Sequence, residues 1–203
     1  MFFSFRVPKY SQKYFESIKG QKIGEGSEKL CFIKLTDPAR CLKVSCKDKC
    51  KQILREIKYF NSLKLEQKNV SFLPKFFCVF ETKEFIGYEQ ECFVERQKGG
   101  IYDKVETLWC YINNSKISEE EIKKELESIK TEMISKNVIC CDLHGGNILK
   151  VRLGDTSKFV VVDGFGAPEF FPICKYIRCL GRMKIERQWR KFIRRISNDF
   201  KRR

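Results

Sequence analysis

The chain has 203 residues, 42% of them hydrophobic and 33% charged, with 18 Phe. That length suits one core or two small lobes rather than several domains, and the apolar content excludes a disordered chain. No apolar run approaches the roughly 18 residues that span a bilayer, and the N-terminal MFFSFRVPKY breaks off too early for a secretory signal, so a soluble cytoplasmic protein is expected.

The net charge of +15 is uneven: residues 175–203 hold twelve Lys or Arg against Glu186 and Asp199, a balance of +10 that leaves +5 for everything before them. Basicity is therefore a property of the C-terminal tail. The eleven cysteines are scattered, many in apolar stretches (Cys78, Cys92, Cys140), which suits reduced thiols used as small hydrophobes. Cys41, Cys46 and Cys50 cluster locally but fit no zinc spacing, and the single histidine lies far away.

In chain order, 23–35, 41–45, 76–82 and 90–96 read as strands, rich in β-branched, aromatic or alternating apolar residues. One helix interrupts them over 49–63, where Ile53, Leu54, Ile57, Phe60 and Leu63 recur at helical spacing and Glu56 edges that face. Lys98-Gly99-Gly100 marks a hinge, dividing a single domain into lobes 1–97 and 98–203. Ser118 followed by Glu121 has the form of a capping box opening a helix through Ile122, Leu126, Ile129, Met133 and Ile134. The apolar run 138–141 and the polar turn 142–147 follow. Two strands, 148–151 and 159–162, then join through a turn at Gly154-Asp155, and a last helix over 183–200 gathers Ile185, Trp189, Phe192, Ile193 and Ile196 opposite its basic residues.

Chemistry concentrates in four features in fixed order. Gly24-Glu25-Gly26-Ser27 lies between strand segments, where glycines let backbone N–H groups approach a phosphate; a simple hairpin turn is the alternative. Lys43 sits in an apolar strand and needs an acidic partner if it points inward, and Glu56 can supply it, as in the kinase arrangement that touches the α- and β-phosphates. In CCDLHGGNIL, Asp142 precedes Asn147 by five residues, the spacing of a kinase catalytic loop, with Asp142 to accept the proton of an attacking hydroxyl and Asn147 to offer its carbonyl oxygen to magnesium. Sixteen residues after Asn147, Asp163 ends a strand in VVVDGFG and is placed as the main magnesium ligand. His144 reads as a loop residue contacting phosphate or backbone, because Asp142 already holds the base position.

CDLHGGNIL and VVDGFG resemble the catalytic and metal loops of small-molecule and atypical kinases. With IGEGSEKLCFIKLTDPARCLKVS, ILREIKYFNSL and IERQWRKFI, almost the whole chain resembles the bacterial family of the PhoP regulatory network protein YrbL. The resemblance implies a kinase-like fold of unknown acceptor, linked in name to a magnesium-sensing regulon. Departures stand out: Lys29 replaces the third glycine, Cys140 replaces a histidine beneath the loop, Asp-Gly-Phe-Gly replaces Asp-Phe-Gly, and only about forty residues follow Asp163.

The expected fold is α+β, a two-lobed minimal protein-kinase-like domain whose antiparallel-sheet N-lobe carries one helix and whose C-lobe is reduced and mostly helical. The expected function is ATP- and Mg2+-dependent phosphoryl transfer, with Gly24, Gly26, Ser27 and Lys43 on the nucleotide, Glu56 aligning Lys43, Asn147 and Asp163 on the metal, and Asp142 on the acceptor. The alternative is a pseudokinase or regulatory binding module acting through the basic tail. Lys184, Arg187, Lys191, Arg194 and Arg195 leave an anionic partner open, whether a phosphorylated acceptor, a membrane surface or nucleic acid.

Overall fold

The computed structural model describes residues 9–65, 69–97, 101–114, 117–153, 155–166 and 173–203. The expected hinge Lys98-Gly99-Gly100 and Gly154 of the expected turn lie outside the described residues. The architecture is α+β, and the chain divides into two compact units, one of residues 1–61 with 74–104, the other of 62–73 with 105–203.

The first unit is built on an antiparallel sheet of order β1-β2-β3-β5-β4, with β1 Lys19–Glu25, β2 Leu30–Lys34, β3 Arg40–Cys46, β4 Phe76–Glu81 and β5 Phe85–Glu91. Register fixes its two faces. Leu30 pairs with Val44, Val44 with Gly87 and Gly87 with Phe80, so these share one face; Cys31, Lys43, Tyr88 and Val79 pair in turn and share the other. Helix α1 (Gln12–Ile18) closes the first face, where Phe15 and Ile18 pack with Leu42, Val44 and Phe80. Helix α2 (Lys51–Leu65) closes the second, its Phe60 stacking on Phe76 at 4.9 Å and tilting against Tyr88 at 5.7 Å.

Two expectations are corrected here. Among its described residues the unit holds two helices, α1 and α2, rather than one, because seven residues with only Phe15 and Ile18 buried are enough to cover a sheet face. The strand expected over 90–96 is broken into β5 and β6 (Val94–Arg96), and β6 pairs with β7 (Tyr102–Lys104).

The second unit holds α3 (Leu108–Asn114), α4 (Glu119–Lys136), the hairpin of β8 (Ile148–Leu153) with β9 (Thr156–Val161), α5 (Ile173–Tyr176) and α6 (Arg178–Arg202). The capping box forms as its sequence demands: the Ser118 hydroxyl accepts from the Glu121 N–H, and the Glu121 carboxylate accepts from the Ser118 N–H. Helix α4 ends at Asn137, whose left-handed φ of 50° turns the chain into the buried run 138–140. The last helix begins at Arg178 rather than near 183. Gly181 lies inside it, buried where the helix runs against the Cys174 carbonyl and Asn137, too close for a side chain.

Ile185, Trp189, Phe192 and Ile196 of α6 are all buried, as the apolar stripe requires. Lys184, expected on the solvated basic side, is buried as well, at 6% exposure. Among the described residues no helix is long and apolar enough to cross a membrane. Because Trp189 is 4% exposed and packs edge-on against Phe192, Trp189→Ala should cost about 3–5 kcal/mol. Urea denaturation checks this, and a midpoint equal to that of the wild type would show that the stripe contributes nothing to the fold.

Candidate functional site

Alternation along β2 and β3 decides where the unit-1 candidates lie. Lys43 is opposite both Cys31 and Tyr88, on the face that α2 covers, and is 6% exposed. Glu56, fully buried on α2, meets that face: its Oε2 accepts from the Tyr88 hydroxyl at 2.9 Å. Lys43 and Glu56 therefore belong to one sheet–helix layer.

Lys29 enters the same layer. Two residues before Cys31, it has the parity of Lys43, and its ammonium donates to both Glu56 oxygens at 2.8 and 3.0 Å while remaining 7% exposed. The neighbouring Glu28 accepts from the Gln52 N–H at 3.1 Å, placing a carboxylate at the first turn of a helix that has no acid of its own there. Consecutive residues thus fasten the β1–β2 turn to both ends of one helical turn of α2. Sequence reasoning registered Lys29 as a departure from the glycine pattern; its parity with Lys43 was the signal that it points inward.

The turn itself is a hairpin in which Gly26 N–H donates to the Lys29 carbonyl at 2.8 Å. Gly24 lies in β1 opposite Cys31, and Gly26 and Ser27 are exposed at the tip. The hairpin geometry and an accessible backbone therefore coincide at the same residues.

In unit 2 the two aspartate motifs are knitted by backbone bonds. Cys141 N–H donates to the Gly164 carbonyl at 2.9 Å, and Val162 N–H donates to the Asn147 carbonyl at 2.9 Å. Cys140 forms bridges with Phe165 and Gly166. Gly164 takes φ +83°, a conformation that glycine alone adopts freely, and its Cα passes Asp142 too closely for a side chain. That explains the inserted glycine in Asp-Gly-Phe-Gly: it lets the Asp163 segment turn against the Asp142 loop. Asp142, Asn147 and Asp163 consequently fall in one loop cluster at the root of the β8–β9 hairpin.

Within this cluster the Asn147 side-chain N–H donates to the Asp142 carbonyl at 3.0 Å, which commits the amide nitrogen and leaves the amide oxygen as the end that can meet a cation. One Asp163 oxygen accepts from Gly164 N–H at 2.7 Å. An amide oxygen and a carboxylate are hard donors of the kind magnesium takes, so the residues present fit that ion.

Asp142 is 57% exposed on its side chain and faces two cationic or potentially cationic groups, His144 Nε2 at 3.7 Å and Arg195 Nη1 at 3.8 Å. His144 Nδ1 accepts from the Gly146 N–H at 3.2 Å, a backbone contact consistent with its reading as a loop residue. Trp109, from a helix the sequence did not announce, lies against Gly145 and Gly146, with its ring 5.1 Å from that of His144, and donates to Asp199 of α6 at 2.9 Å. Cys140, below the loop, is fully buried, and burial raises its thiol well above the ordinary range, so it serves as a packing group.

An α+β protein with an acidic pair and an asparagine gathered on knitted loops is the class these observations define. Residues 18–197 match the family described as PhoP regulatory network protein YrbL, and the chain belongs to that family. It is 25% identical over 178 residues to the protein YrbL of Escherichia coli (strain K12), a match covering 84% of this chain and 82% of the relative. The YrbL protein of Shigella flexneri matches to the same extent, 25% over 178 residues.

Removing one partner of a buried ion pair costs about 3–5 kcal/mol. Lys29→Met should therefore destabilise the protein by at least about 2 kcal/mol, and the Lys29→Met, Glu56→Gln double variant should lose less than the sum of the singles. Urea melts of all four proteins measure this; additive losses would show that the pair is not coupled.

Proposed function

We propose that this chain is a kinase-like phosphotransferase that uses ATP and magnesium. The observation that carries the proposal is the backbone knitting of the Cys141–Asn147 loop to the Val162–Gly166 segment, because it gives Asp142, Asn147 and Asp163 a common location without relying on side-chain placement. Exposed Gly26 and Ser27, with Gly24, would cover the nucleotide phosphates through backbone N–H groups, and buried Lys43 would supply a point charge to them. Glu56 would hold the lysine layer in place. Asn147 and Asp163 would hold magnesium, which when bound neutralises charge on the transferring phosphoryl group.

In the proposed reaction the acceptor oxygen forms a bond to the γ-phosphorus, the bond to the β–γ bridging oxygen breaks, ADP leaves, and the hydroxyl proton passes to the Asp142 carboxylate. Half-exposed Asp142 is accessible to such a hydroxyl. The family's description supports a role in the PhoP regulatory network, and a cytoplasmic, magnesium-linked response is part of this reading.

A second reading, a nucleotide-binding or regulatory module without turnover, is favoured by one observation: Lys29 occupies the third-glycine place and takes both oxygens of Glu56. ATP hydrolysis separates the two readings.

Magnesium-ATP should raise the melting temperature of the wild type, since a ligand that binds only the folded state stabilises it by mass action, and Asp163→Ala should lose most of that shift. An equal shift in both proteins would remove Asp163 from the metal. Asp142→Ala should keep the shift and lose hydrolysis by about 100-fold or more, the effect of removing a general base. Equal hydrolysis by the two proteins would remove Asp142 from the base position, and no hydrolysis by the wild type with the shift retained would select the second reading.

A further inference from the structure

Arg195 was expected on the solvated basic face of the last helix, yet its guanidinium reaches back to the Asp142 loop. Nη1 donates to the Leu143 carbonyl at 3.0 Å and lies 3.8 Å from Asp142 Oδ1, an ion-pair distance too long for a hydrogen bond. A guanidinium carries five N–H donors in a planar fork, and the Leu143 carbonyl takes one of them. The side chain is 54% exposed, so the rest of the fork faces solvent beside the carboxylate assigned to the acceptor.

Two contacts set this position. Ile196 and Phe192, adjacent to Arg195 on the helix, are buried and fix the rotation of α6. Four residues on, Asp199 accepts from Trp109, whose ring lies against Gly145, Gly146 and His144. The helix is therefore registered against the loop at both Arg195 and Asp199, one turn apart. Exposed Lys191 and Arg194 add positive charge on the same stretch of helix.

We propose that Arg195 forms the binding subsite for a phosphate group carried by the acceptor itself, so that the substrate class is a hydroxyl compound that is already phosphorylated. A neutral acceptor at Asp142 would leave the fork with only the long 3.8 Å ion pair to that carboxylate, whereas a phosphate meets it with two parallel N–H···O bonds. The dianion also matches the surplus of cations along α6. This inference rests on the assignment of Asp142 to the acceptor, but the binding site it describes requires no nucleotide.

The test is titration of the 15N-labelled full chain with inorganic phosphate, followed at the indole N–H of Trp109. A saturable shift at millimolar phosphate is expected, with acetate at least tenfold weaker and glycerol without effect. Arg195→Gln should weaken phosphate binding at least tenfold, Arg195→Lys should recover part of it by restoring charge without the fork, and Lys58→Gln, at an exposed lysine of α2, should bind within about threefold of the wild type. Absence of a saturable phosphate shift in the wild type, equal binding by acetate, or unchanged binding by a folded Arg195→Gln protein would each overturn the subsite. Phosphate binding in a protein that gives no magnesium-ATP shift would uphold the subsite and count against the phosphotransfer reading alone; the reverse result would remove the acceptor class alone.

Discussion

The backbone hydrogen bonds between the Cys141–Asn147 loop and the Val162–Gly166 segment are the constraint on which the candidate site depends. Loops so rich in polar groups must satisfy their N–H and C=O groups with one another once Cys140, Leu143 and Phe165 bury their flanks. Meeting that demand places Asp142, Asn147 and Asp163 together. The left-handed turn at Gly164 follows from the same constraint, since only a residue without Cβ can approach Asp142 so closely. Helix α6 then adds Arg195 to this cluster from outside, and Trp109 closes over its glycines.

In the first unit the equivalent constraint is electrostatic. A fully buried carboxylate is tolerable only with donors in direct contact, and Glu56 has Lys29 on both oxygens and Tyr88 on one. The consequence is mechanical: Lys29 and Glu28 tie the β1–β2 hairpin tip to α2, so the exposed backbone of that tip is held by the same helix that carries Glu56. A glycine at position 29 would free the loop and leave the carboxylate with fewer donors. Lys29 and Glu28 therefore fasten the hairpin tip to α2.

Much of this was legible in the sequence where a local rule and a tertiary demand agree. The α4 capping box, the 3.6-residue stripe of α6 and the strands β3, β8 and β9 follow from spacing alone. Helix α1 was not legible because it is short and buries only Phe15 and Ile18. The full extent of β5 was hidden because Glu89 and Gln90, near its end, are buried polar residues, and Glu89 is held by Lys34 at 2.8 Å, which defeats an apolar alternation. Motif spacing singled out Asp142, Asn147 and Asp163, which backbone bonds bring into one loop cluster, whereas the contacts of Lys29, Trp109 and Arg195 could not be read from spacing. Each of these three acts through a residue distant in sequence: Lys29 with Glu56, Trp109 with Asp199, and Arg195 with Leu143.

The central claim, that Asn147 and Asp163 share one divalent cation, is tested most directly by paramagnetic broadening. Manganese added with ADP to the 15N-labelled chain should selectively broaden the Gly164 amide and the Asn147 side-chain amide at substoichiometric metal, because nuclear relaxation by the unpaired electrons falls off steeply with distance and both groups border the assigned oxygen ligands. The same titration of Asp163→Asn should leave those resonances sharp. Broadening centred instead on the backbone amides of Glu125 and Glu132 of α4, with Gly164 and Asn147 unaffected, would contradict the account.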